Sequence, residues 1–103
     1  MDIVRQGDVM LIQVGPDEVP AGAVREPEAE RVILAHGEAT GHAHVVPGAD
    51  AFALAKGAMR FLKVRRRTEV RHEEHLPVPL KRGTFEVRIQ RQYSPEAIRN
   101  VAD

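Results

Sequence analysis

The chain has 103 residues, no net charge, no cysteine and only four aromatic side chains, Phe52, Phe61, Phe85 and Tyr93. That length suits one domain over residues 1–103 with a modest aliphatic core, and so thin a core favours a homo-oligomer. Without cysteine there are no disulfides, thiolate metal sites or cysteine nucleophiles, as expected of a protein in a reducing cytoplasm.

Residues 1–6 lack a basic stretch leading into an apolar run, and no segment approaches the ~20 apolar residues of a membrane helix. A cytoplasmic protein with no membrane partner is therefore expected. Charge is unevenly spread: residues 1–50 carry −6 and residues 51–103 carry +6. Such asymmetry marks either a basic binding face or two halves that pair in the fold.

Asp8 to Val14 is a short, nearly continuous apolar run between glycines, and predicts a strand buried on most of both faces. Residues 15–30 hold Pro16, Pro20 and Pro27 among five acids, and predict a long exposed loop. Arg31–Ala35 and His42–Val46 read as strands, the second closed by the turn Pro47-Gly48-Ala49-Asp50. Residues 51–55 and 58–64 flank Lys56-Gly57 as a hairpin. Arg65-Arg66-Arg67 reads as a solvated turn, and Thr68–Arg71 as a strand running into His72. Pro77 and Pro79 argue against a regular central strand or helix just beyond, where the chain leaves regular structure. Thr84 to Tyr93 alternates Phe85, Val87 and Ile89 with polar residues, the clearest strand pattern of all. Ser94-Pro95 then starts a short helix over 96–101. About seven short strands with one terminal helix predict an all-β fold, a small barrel or sandwich.

The chemistry concentrates in Gly37-Glu38-Ala39-Thr40-Gly41-His42-Ala43-His44 and in His72-Glu73-Glu74-His75. Residues two apart in a strand share a face, so His42 and His44 suit chelation of one ion by two imidazoles. His72, His75, Glu38, Glu73 and Glu74 supply further ligands. His72 and His75, three apart, need a bulge or bend to face the same way. Their spacing differs from the four-residue helical box of zinc proteases. Imidazole donors without thiolates suit a divalent transition metal: zinc first, with iron, nickel and manganese as alternatives. Gly37 and Gly41 permit a tight reversal that delivers His42.

Three functional readings follow. In the first, His42, His44, His72, His75 and Glu38 hold a metal in a small metal-binding protein, with hydrolysis of a small-molecule or phosphodiester substrate as its enzymatic form. Its catalytic set is then His42, His44, His72 and Glu74. In the second, the imidazoles exchange protons without metal, as in a nuclease or phosphodiesterase, with Glu38 or Glu74 orienting one ring. In the third, Arg60, Arg65, Arg66, Arg67 and Arg71 bind nucleic acid or a partner protein, though few aromatics stand ready to stack bases. Plain structural histidines are the alternative to all three.

Gly7-Asp8-Val9, the two histidine motifs and the segment from Gly83 to Tyr93 together resemble a family of small bacterial and phage proteins of unassigned function. The resemblance spans nearly the whole chain and implies a grouping without a mechanism. The His42-x-His44 pair followed by a later histidine is also distantly similar to the cupins, which implies a metal-binding barrel, often oligomeric. The chain departs from the cupin pattern in having Val45-Val46-Pro47-Gly48 where a glutamate would follow the pair.

Overall fold

Among the described residues, period-two alternation and β-branched residues build ten strands: β1 (Ile3–Gln6), β2 (Val9–Val14), β3 (Val24–Arg25), β4 (Arg31–His36), β5 (Ala43–Pro47), β6 (Ala51–Lys56), β7 (Met59–Val64), β8 (Thr68–His72), β9 (His75–Leu80) and β10 (Gly83–Ile89). The computed structural model describes residues 2–37 and 41–90. Among these the one helical element is a single 3-10 turn at Pro16–Glu18. Among the described residues no helix is long and apolar enough to cross a membrane. The helix expected over 96–101 lies outside the described residues.

Every pairing is antiparallel, and the strands form two sheets, β1-β2-β10-β7-β6-β3 and β4-β5-β8-β9. Their apolar faces share one core. The larger sheet contributes Val9, Leu11, Ala51, Leu62, Val64 and Phe85, and the smaller contributes Leu34, Val46, Val70 and Leu80. Each large aliphatic or aromatic side chain fully buried here contributes roughly 1.5–3 kcal/mol.

The barrel alternative is not realised, because the sheets do not close on each other. The edge strands β1 and β9 lie alongside one another without a backbone ladder. The buried Gln6 side chain joins them instead, its amide donating to Val70 O and Leu76 O at 3.0 Å each. Across the other open seam, Arg60 on β7 reaches Glu26 with two parallel bonds of 2.8 and 2.9 Å. It also donates to the carbonyls of Ile33 and Leu34 at 3.1 Å. Those carbonyls flank an irregularity in the β4–β5 register between Ile33 and Ala35, where a bulge frees them from the ladder.

Three expectations change. The strand at residues 9–14 is fully buried only at Val9 and Leu11, so it packs on one face. The 15–30 segment is an exposed connection, but it carries β3, paired with β6, and is pinned through Glu26. Pro77 and Pro79 do sit in a strand, β9, because it is the edge of its sheet. Two residues apart, both prolines turn their missing N–H the same way, and an edge tolerates that.

Replacing Arg60 by Ala strands Glu26 and two half-buried carbonyls, and should cost about 2 kcal/mol in urea unfolding. Arg66→Ala at the more exposed Asp50 pair should change stability by less than about 0.5 kcal/mol.

Candidate metal centre

Each histidine reaches the site from a separate local device. His44 lies on β5 and is 5 % exposed. His42 sits just before β5, where the Gly37 N–H donates to the His42 carbonyl at 2.8 Å and closes the β4–β5 connection. His72 and His75 are opposite each other across the two-residue turn Glu73-Glu74, as the last and first residues of β8 and β9. Opposed residues in a hairpin project to the same side, so three-residue spacing puts them together rather than on opposite faces. The expected irregularity is also present, as a register shift between Val70 and His72.

The four imidazoles converge. Ring centroids are 4.3 Å apart for His44–His72, 4.6 Å for His72–His75, 5.5 Å for His44–His75 and 5.6 Å for His42–His72. Rings sharing one tetrahedral zinc, with Zn–N bonds of about 2.0 Å, hold their centroids about 5 Å apart. Two overlapping groups have ligand atoms all within 4.8 Å of one another: His44, His72 and His75, and His42, His72 and Glu73. His72 belongs to both. Their mutual placement therefore fits an ion better than it fits four unrelated histidines.

Gln6 orients the most buried ring. Both amide hydrogens are committed to backbone carbonyls, so its Oε1 must accept, and it lies 2.9 Å from His44 Nδ1. Nδ1 then carries the proton and Nε2 keeps its lone pair free, the tautomer a metal needs. Burial, followed by the neighbouring His72 and His75, pushes the His44 pKa down, against weaker opposition from Asp8 and Glu73. The ring is thereby held neutral. Among the described residues His42 Nδ1 is buried with no hydrogen-bond partner, and the nearest carboxylate oxygen, of Glu74, is 3.6 Å away. His72 Nδ1 accepts the Glu74 N–H at 3.0 Å, which places that ring's proton on Nε2. An ion binding His72 must displace either that proton or that hydrogen bond.

Glu73 receives the Ala43 N–H at 3.2 Å. Its own backbone N–H and that of Ala43 hold its carboxyl below the usual range, so it is ionised. Two glycines make room for the rings. A Cβ on Gly37 would stand 2.8 Å from His72 Nε2, and one on Gly7 would stand 3.1 Å from His44 Cε1 and 3.2 Å from His75 Nε2. Gly7 also has φ +56°, which suits glycine.

Of the residues expected from sequence, His42, His44, His72 and His75 come together. Glu74 borders the cluster beside His42 and outside both ligand groups, and Glu38 lies outside the described residues. His36 is exposed at the end of β4 and takes no part in either group. Sequence reasoning did not single out Gln6 as a partner of His44, and nothing about a lone glutamine beside a turn marks it.

The chain belongs to the family described as a domain of unknown function, DUF8820. The family model matches residues 5–90 and so includes Gln6, Gly7 and all four clustered histidines. No curated protein and no solved structure matches the chain.

The depressed His44 pKa makes stability depend on pH. Between the folded value and the ordinary 6.5 the unfolded chain binds more protons. Without added metal, stability should be level above about pH 6.5 and fall as pH is lowered through the folded pKa. Urea unfolding of the wild type and of His44→Gln across pH 5–8 should show the decline only in the wild type.

Proposed function

We propose that the cluster is a mononuclear site for a divalent transition metal, zinc first, in a small two-sheet β protein that acts as a metal-dependent hydrolase. His44, His72 and His75 are the protein ligands, and His42 and Glu73 border the fourth position, which is left to water. The observation that carries this reading is the convergence of His44, His72 and His75 from β5 and from both strands of the β8–β9 hairpin, with His44 locked in the ligating tautomer. Three imidazoles leave a place for water, and a bound divalent ion would make that water a nucleophile near neutral pH. Glu73, ionised beside His72, would accept its proton in this reading, and so joins the catalytic set that the sequence drew with Glu74.

The metal-free acid/base reading draws support from the same pair, His44 and His72, but leaves the orphaned His42 Nδ1 without a purpose. Nucleic-acid binding draws less support. Arg60, Arg66 and Arg71 each face a carboxylate, and Arg65 lies over Phe52. The cupin likeness rests on the His42-x-His44 pair and a later histidine, and the metal reading does not depend on it. A cytoplasmic homo-oligomer remains part of the proposal, its oligomeric part supported by the edge residue Leu76, 86 % exposed beside the site.

Elemental analysis of untagged protein after zinc loading and dialysis should give about one equivalent per chain. His44→Ala with His72→Ala should abolish it, and Gln6→Leu should weaken zinc affinity about 10–100-fold, the range for loss of a ligand's hydrogen-bond partner. Less than roughly a tenth of an equivalent on the wild type would overturn the reading.

A further inference from the structure

Alternation on β5 turns His44 and Val46 toward the interior and Ala43, Val45 and Pro47 toward the other face of the small sheet; Val46 joins the core cluster while Ala43 and Val45 do not. That outer strip floors a cleft of about 570 Å³. Arg31 stands opposite Pro47 on β4, and Arg71 opposite Val45 on β8, so the two arginines flank the strip from either side. His72 and Glu73, two members of one ligand group, line the same cleft.

The charged side chains of the lining balance, Arg31 and Arg71 against Glu30 and Glu73. Arg71 gives its Nε–H to Glu69, and Arg31 has no ion pair among the described residues. A divalent cation at His72 and Glu73 would leave this lining with a surplus of two positive charges, beside an apolar floor.

We propose that the cleft binds an oxyanion, a phosphate or a carboxylate, carried on a short apolar body, with the charged end between the metal and the guanidiniums of Arg31 and Arg71. The body lies on Ala43, Val45 and Pro47. This rests on the metal reading above and names the ligand class for that site. The anion and the metal favour each other's binding, because each supplies the charge the other lacks.

Calorimetry with phenyl phosphate, on cobalt-loaded and metal-free protein, tests this. Cobalt-loaded wild type should bind at least about tenfold more tightly than metal-free protein. Arg31→Gln with Arg71→Gln should lose at least about tenfold while keeping full cobalt loading, since both positions are exposed and neither is a metal ligand. Equal affinity in wild type and double variant, equal affinity with and without cobalt, or no binding at all to fully loaded protein would each overturn the cleft and leave the metal site standing. Failure of the wild type to take up cobalt would overturn both.

Discussion

The carboxamide of Gln6 is the constraint on which the rest depends. It spends both hydrogens on carbonyls of β8 and β9 and its oxygen on His44, so one buried group joins the sheets and sets a histidine tautomer. A buried amide satisfied at three points has one orientation; rotating it would present hydrogens to His44 and an oxygen to two carbonyls. Fold and site are thus coupled through a single side chain. Loosening the β1–β9 seam would also release the ring that the cluster is built around.

The opposite seam is held by the same means with different chemistry. Arg60 uses its planar fork on Glu26 and its remaining hydrogens on the carbonyls freed at the β4 irregularity. Two open-edged sheets thereby avoid both an unpaired seam and a closed barrel. Charge asymmetry along the chain is explained in part here, since an acid from the first half meets a base from the second. The pair is half-buried, where geometry matters more than at the surface.

Electrostatics at the cluster point one way. Burial first, and then the neighbouring His72 and His75, disfavour a charge on His44. The cluster therefore presents a neutral ring at its most buried point, with one ionised carboxylate, Glu73, at the margin. Under the proposed metal reading a divalent ion would engage several lone pairs together there, which a proton does not.

The sequence by itself determined the all-β class, most strand positions and the two histidine clusters. Those follow from local properties: alternation in Phe85, Val87 and Ile89, glycine and proline punctuation, and the same-face rule for His42 and His44. Strand β9 was hidden because proline is judged by its own backbone, whereas its tolerance depends on lying at a sheet edge. The bend that the His72–His75 spacing called for is a two-residue turn between opposed strand ends, since spacing means one thing within a strand and another across a turn. Only the tertiary structure decided that the clusters meet, that the sheets stay open, and that Gln6 and Glu73 belong to the site. Those outcomes depend on strand order and register, which bring residues about thirty or more positions apart into contact and leave no periodic trace in the chain.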